Sequence, residues 1–395
     1  MKRIYFDNAA TAPIKAAALK AMEPWLADNG FGNPSSIYEE AQLAARAVEK
    51  ARNKLAELVG CSPAEVFFTS GGTESDNWAI KGAYFANIKK GKNHIITTNI
   101  EHHAVLHVCK FLQSIGAEIT YLPADENGLV APEQVREAIT DKTCLVSVMA
   151  ANNEIGTLEP INEIGTLCRE AKVLFHTDAV QAFGHVPVSL DGVDLMSLSG
   201  HKLGAPKGVG ALYIRKGVRI ASLMHGGAQE RGKRAGTENV AGICAFVAAA
   251  EECFLHMDED IVKVTALRDM LIENLTTTIP KTRLNGDRQR RLPGNVNISF
   301  EGIEGESILL HLDLRGIAAS SGSACTSGSL DPSHVLLAIG LAHELAHGSL
   351  RLSLSAANTE EEVKQVLEVV PPIIELLRNM SPVWPAPAEG GSYVV

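Results

Sequence analysis

The chain has 395 residues, more than one hydrophobic core usually serves, so two packed domains are expected. Hydrophobic residues make up 46% and charged residues 21%, a globular profile without a disorder signature. A formal net charge of -10 argues against direct nucleic-acid binding, which needs clustered Lys and Arg. In chain order, the first residues carry no apolar signal region, and the apolar stretch at 243–250 is too short to cross a bilayer. No membrane association is therefore expected. Seven dispersed cysteines without a CxxC pair suit a reducing compartment and a cytoplasmic location.

Apolar β-type runs at 66–69, 94–98, 145–149, 173–176, 195–198 and 210–214 predict buried strands. Helix-length segments at 74–89, 104–115, 132–139 and 161–171 lie between them. That alternation predicts an α/β domain whose mostly parallel sheet is flanked by helices. Ligands in such sheets sit beyond the carboxyl ends of the strands. After about residue 258 the pattern changes. A long helical segment runs toward Thr278, followed by an extended run at 295–300, a helix at 305–314, a Ser/Gly-rich loop and a last helix at 360–380. This predicts a large domain over 15–258 and a smaller α+β domain built from 1–14 and 259–395, ending in a loose tail.

Three segments carry chemistry. Ser199-Gly200-His201-Lys202 follows a strand, so Lys202 sits just past a strand end, where a lysine of lowered pKa can form a Schiff base. Ser199 and His201 can donate to a phosphate. A surface-loop lysine is the plainer reading of that motif alone. Asp178 closes a buried strand in Phe175-His176-Thr177-Asp178, where an unpaired carboxylate is costly and needs a cationic or donor partner. A protonated pyridine nitrogen would serve; so would an ordinary helix N-cap role. Thr69-Ser70-Gly71-Gly72-Thr73-Glu74 links strand to helix, and its glycines let backbone N–H groups approach a phosphate. A Ser70/Thr73 capping box is the alternative, and both can hold.

Together the three favour a phosphate, an aldehyde and a pyridinium. They resemble the fold-type I pyridoxal-phosphate (PLP) transferases of the class V aminotransferase group. Further blocks narrow the likeness: Tyr5-Phe6-Asp7-Asn8-Ala9-Ala10-Thr11, Phe31-Gly32-Asn33-Pro34-Ser35-Ser36, Thr73-Glu74-Ser75-Asp76-Asn77, Glu101-His102, Asn152-Asn153-Glu154-Ile155-Gly156, Arg234-Ala235-Gly236-Thr237-Glu238-Asn239, and Ser320-Ser321-Gly322-Ser323-Ala324-Cys325-Thr326-Ser327-Gly328. In this order, over nearly the whole chain, they are similar to the cysteine desulfurases of the NifS/IscS type. Two departures stand out. The family's Asp-Asn-Asn-Ala-Thr-Thr reads Asp7-Asn8-Ala9-Ala10-Thr11-Ala12 here, and a second imidazole, His103, follows His102.

The resemblance implies roles residue by residue. Lys202 forms the Schiff base with PLP, Asp178 pairs with the pyridine nitrogen, Gln181 stands at the phenolic oxygen, and His102 stacks on the ring and moves protons. Gly72, Thr73, Ser199 and His201 hold the phosphate, with Thr237 supplied by the other chain of a homodimer. Asn153 and Arg351 bind the carboxylate of L-cysteine, and Asn153 also borders the cofactor. Cys325 takes the sulfur as a persulfide. L-alanine is the product, and an Fe–S scaffold protein of the NifU/IscU type is the implied acceptor, with Cys325 as a transient iron ligand during delivery. Composition agrees on Cys325, since the Gly, Ser and Ala of loop 320–330 predict an exposed thiol, unlike the contexts of Cys109, Cys144 or Cys244.

Two other patterns carry less. His343-Glu344-Leu345-Ala346-His347 fits HExxH, but Gly348 and the extended Leu350-Arg351-Leu352 cut its helix short. Residues 227–233 approach a phosphate-loop pattern, yet Arg234 stands where Ser or Thr would hold magnesium. Competing functions are a transaminase, epimerase or selenocysteine lyase on the same fold, or a sulfur-carrier scaffold without catalysis. Lys202, Asp178 and Cys325 together argue against the last.

Overall fold

A computed structural model describes residues 3–321 and 331–384. The strands in chain order are β1 (Ile4–Tyr5), β2 (Val66–Thr69), β3 (His94–Thr98), β4 (Glu118–Leu122), β5 (Thr143–Ser147), β6 (Leu174–Asp178), β7 (Leu195–Ser199), β8 (Gly210–Ile214), β9 (Thr282–Leu284), β10 (Asn295–Phe300), β11 (Ile317–Ala318) and β12 (Ser349–Ser353). The main sheet has seven strands in the order β2-β8-β7-β6-β5-β3-β4. Neighbours from β7 through β4 pair parallel, and β8 is antiparallel to both β7 and β2. Two reversals restore direction, so β2 runs the same way as β7. The carboxyl ends of β2, β3, β5, β6 and β7 therefore open on one side.

These strands read as near-continuous apolar runs because both sheet faces are covered. Alternate side chains still separate cleanly. Phe68, Ile96, Val146, Phe175, Met196 and Ala211 enter one core with the helix Glu39–Val59 and the start of helix Val240–Thr278. Phe67, Ile95, Leu145, Leu195 and Leu212 enter the other with Trp78, Tyr84, Val105 and Leu112, from helices Gly72–Asn87 and His103–Ser114.

Helix Val240–Thr278 has 39 residues and an 18-residue window with mean hydropathy 1.5. It is long and apolar enough to cross a membrane by composition, but 61% of that window is buried in the protein. Its apolar side serves two cores in turn. Ile243, Phe246 and Ala250 lie in the sheet core, whereas Val264, Leu267, Leu271 and Leu275 join a separate cluster with Val296, Ile298, Leu350, Leu352 and Ile374. That second cluster contains the antiparallel sheet β12-β10-β9, the parallel pair β1-β11 and helix Glu360–Met380. Residue 258, the boundary expected from sequence, lies inside the continuous helix. The helix therefore begins well before the expected segment. The apolar face of the helix leaves one core for the other between Cys253 and Val264.

Candidate active site

The phosphate-type loop follows from sheet geometry. Gly210, first in β8, lies opposite both Thr69 of β2 and Ser199 of β7. A Cβ at Gly210 would come 2.7 Å from the Gly71 Cα, so only glycine lets the turn after β2 settle beside β7. Gly71 caps helix Gly72–Asn87 at φ 148°, a conformation that side-chain-bearing residues rarely adopt. The helix's first-turn amides have no intrahelical acceptor, and they open next to Ser199 and Thr73. The expected capping box is half present. The Glu74 carboxylate accepts from the Ser70 amide at 2.9 Å, but Gly71 is the cap and no side chain fills that role.

Asp178 ends β6 and is buried, and burial pushes its carboxyl up to about 6 against the lowering effects of the Val180 amide and Lys202. Its Oδ1 accepts from the Val180 amide at 2.9 Å, so the N-cap-like role and an open second oxygen coexist. Lys202 closes a short turn after β7 and donates to the carbonyls of Ala9 (2.7 Å) and Ala10 (2.9 Å). Gln181 donates to the same Ala9 carbonyl at 2.9 Å. Thus Lys202 and Gln181 meet at one carbonyl, with Lys202 acting electrostatically on Asp178. His201 lies within 3.2 Å of Thr11, and burial with the charge of Lys202 lowers its imidazole to about 4.

His102 is the N-cap of helix His103–Ser114, and its Nδ1 accepts from the Ala104 amide at 3.1 Å. Burial, then Lys202 and neighbouring imidazoles, lower its pKa to about 4. The ring is therefore neutral at physiological pH, and the Nδ1 acceptor leaves the proton on Nε2. Asn153 is buried beside an Asx turn in which Asn152 Oδ1 accepts from the Glu154 and Ile155 amides. Its carbonyl receives Arg351 Nη1 at 3.1 Å, and Arg351 Nη2 donates to Asp7 Oδ1 at 3.0 Å. Arg351 is 2% exposed, yet its Nε has no partner among the described residues. A buried donor in that state awaits an acceptor, and a carboxylate suits it.

Several participants carry no assigned role at the level of sequence. Asp7 holds Arg351, and the Ala9 and Ala10 carbonyls receive Lys202. Asp76 and Glu101 are buried carboxyls behind Asp178, each raised well above the ordinary range by burial. Their signal was present inside the quoted motifs, but only the fold aims them at the site. Thr237 is exposed and makes no hydrogen bond to Thr73, Ser199 or His201 within this chain. Its loop is tied to the phosphate-type helix through Arg234, which pairs with Glu74 at 2.8 and 3.0 Å.

Cys325 lies outside the described residues, but the chain on either side is fixed at the site. Ser320 exchanges backbone bonds with Arg351 at 3.1 and 2.7 Å. Ser333 bonds the buried Glu154 carboxylate, and His334 Nε2 donates to the Glu101 carbonyl at 3.0 Å. Val335, Leu336 and Ile339 then pack on Ile100 and Ile155. The six described cysteines are free, and burial raises every thiol: Cys61, Cys109, Cys144 and Cys168 to about 12, Cys244 to about 11, and Cys253 upward. None of these six offers a thiolate at neutral pH.

Comparison with known proteins agrees in family and in fold. Residues 4–366 match the family model described as aminotransferase class-V. The chain is 57% identical to a "Cysteine desulfurase IscS" of Methanosarcina thermophila, over 97% of this chain and 95% of that protein. It is also 57% identical to one of Clostridium botulinum strain Hall, over 97% of each. A solved "NIFS-LIKE PROTEIN" superposes with TM-score 0.89 at 39% identity, covering 95% of this chain and all of the other. The structure titled "SspA in complex with cysteine" gives TM-score 0.79 at 37% identity, over 90% and 100% of the two chains.

Proposed function

The chain belongs to the class V aminotransferases and within them to the cysteine desulfurases of the NifS/IscS type, and on that premise we propose that it works with PLP and stores the sulfur of L-cysteine on Cys325. The observation that carries the reading is the meeting of a glycine-cleared helix terminus, Lys202, Asp178 and the unfilled Nε of Arg351 at one edge of the sheet. Each fits one part of the cofactor or substrate. Thr73, Ser199 and His201 suit the phosphate. Asp178, costly to ionise alone in its buried place, suits a protonated ring nitrogen. Lys202 suits the aldehyde carbon. Bound there, PLP supplies a carbonyl that condenses with amines and a ring that stores an electron pair.

The protein's own groups then divide the work. Arg351 holds the carboxylate of L-cysteine, itself steadied by Asp7 and the Asn153 carbonyl. Lys202 moves the proton at the substrate's α-carbon. His102, neutral with its proton on Nε2, passes protons at the ring face. The Cys325 thiolate attacks the substrate sulfur. A sulfur–sulfur bond forms as the carbon–sulfur bond breaks, leaving a persulfide on Cys325 and, after protonation, L-alanine. Cys325 lies five residues beyond Ser320, at most roughly 17 Å of extended chain. Since Ser320 is bonded to Arg351, the thiol is within reach of a carboxylate-anchored substrate.

The persulfide passes to an Fe–S scaffold protein of the NifU/IscU type, with Cys325 as a brief iron ligand, in a reducing cytoplasm that keeps the remaining thiols free. The working unit is a two-fold homodimer. The supports for it are exposed Thr237 on a loop anchored to the phosphate helix, and exposed apolar residues such as Phe31 (73%) and Ile37 (89%). The test is Cys325→Ala. It should keep the cofactor and bind L-cysteine, yet give no alkylation-trapped persulfide by mass spectrometry. Persulfide at Cys61 or Cys109 of the active native protein, with none at Cys325, would sink the assignment.

A further inference from the structure

A second cavity lies behind the site. It has a volume of about 510 Å³ and sits between the two hydrophobic cores. One wall is the 8–15 segment that receives Lys202, another is the stretch of helix Val240–Thr278 where its apolar face changes cores, and a third is 353–357, just after β12 and Arg351. Thr73, His102, Asp178, Ser199, His201 and Arg351 do not line it, so it is not the site already described, although Lys202 and Gln181 form a shared partition. Its size falls in the range of small-molecule sites.

The lining is mainly apolar, with Met257, Val264, Leu292 and Leu354 as buried members. One of its charged groups has no hydrogen-bonded or ion-paired partner among the described residues. Lys15 pairs with Glu252 at 2.9 Å, and the Lys202 ammonium is engaged by two carbonyls. His185 Nε2 is directed at the Lys202 carbonyl, 3.3 Å away, and His256 is exposed near Glu259. Asp260 is half-buried at the cavity, makes no hydrogen bond or ion pair with any described residue, and acts on Lys15 and His185 only through space. A carboxylate facing an apolar hollow calls for a cation whose remaining surface is apolar.

We propose that this interdomain cavity binds a small organic cation with an apolar body, its charge on Asp260 and its carbon chain on the Met257–Leu354 wall. Such a ligand would touch both the segment that receives Lys202 and the strand end that carries Arg351, and so would bridge the two cores.

The experiment is calorimetric titration of the intact native protein with hexyltrimethylammonium, which cannot condense with an aldehyde. One saturable site per chain is expected. Hexanol and hexanoate should bind at least on the order of tenfold more weakly. Asp260→Asn should weaken the cation by a similar factor while leaving desulfuration unchanged, and Met257→Trp should block binding by filling the space. L-alanine, the product of the reaction site, should not compete. Absence of saturable binding, equal affinity for hexanol, or indifference to Asp260→Asn overturns the proposal. Displacement by L-alanine places the probe in the reaction pocket and overturns it equally. Asp260 is partly exposed, so its amide variant keeps the test open even if Met257→Trp does not fold.

Discussion

Replacing Arg351 by lysine tests the substrate-carboxylate role directly. The change keeps the positive charge but removes the planar fork. In the native protein Nη1 and Nη2 are already committed to Asn153 and Asp7, and Nε has no partner among the described residues. A lysine cannot hold both anchors and also present a third, directed donor. One hydrogen bond to a charged group contributes about 1.5–3 kcal/mol. Its loss should therefore lower kcat/KM for L-cysteine by about 10- to 100-fold, at about 1.4 kcal/mol per tenfold. Most of the change should fall on KM, because the carboxylate is bound alike in ground and transition states. Steady-state alanine formation measures it, and bound-cofactor absorbance should stay at the native level. Cysteamine, which lacks the carboxylate, is the control: its weak binding should not respond to Arg351→Lys. An unchanged KM for L-cysteine, or an equal loss with cysteamine, refutes the reasoning. Arg351→Ala should be harsher, because it also strands Asp7, and should lower Tm as well as activity.

Other outcomes follow from the same geometry. Lys202→Ala should abolish turnover and the visible absorbance of the linked cofactor, and normal turnover without added amine would refute its role. Mixing Lys202→Ala chains with inactive Thr237 variants that fail to bind cofactor should restore some activity, since some hybrid dimers pair an intact Lys202 with an intact Thr237; exchange without recovery contradicts a shared site. Asp178 has a folded pKa raised to about 6 by burial, so in cofactor-free protein the unfolded chain ionises first. That contribution to stability is present below the unfolded value near 3.8 and is lost as pH rises through about 6. Cofactor-free Asp178→Asn should therefore lose less Tm than the native chain between pH 4 and 7, and the variant supplied with cofactor should not turn over. Identical Tm profiles for the two proteins would count against the buried, uncompensated carboxylate.

Much of the architecture was legible because local pattern and burial coincide. The runs at 66–69, 94–98 and 210–214 match β2, β3 and β8, and helices Ile161–Ala171 and Glu360–Met380 fall where periodicity put them. The run expected at 145–149 is shifted: β5 covers Thr143–Ser147, because Thr143 already pairs with His94 across a register shift at Cys144, while beyond Ser147 only the Val148 and Ala150 amides still bond to β6. Helix Glu39–Val59 went unread. Its buried face is largely Ala41, Ala44, Ala51 and Ala56, which gives little contrast with its charged face. Strand β4 was also missed, because an edge strand exposes Glu118 and Tyr121 and lacks the continuous apolar run of its neighbours.

The sequence by itself determined which residue types stand at which turn: a lysine after one strand, an aspartate closing another, glycines between strand and helix, and a cysteine in a Ser/Gly segment. Those are local facts, set by neighbours a few positions away. The tertiary structure decided what each group faces. Arg351 meets Asp7 across 344 positions of chain, Gln181 and Lys202 converge on the Ala9 carbonyl from 172 and 193 positions away, and Asp76 and Glu101 are buried behind Asp178. No local periodicity encodes such pairs. They arise because two reversals at β8 set β2 in the same direction as β7 with β8 between them, and because one long helix passes from the first core to the second.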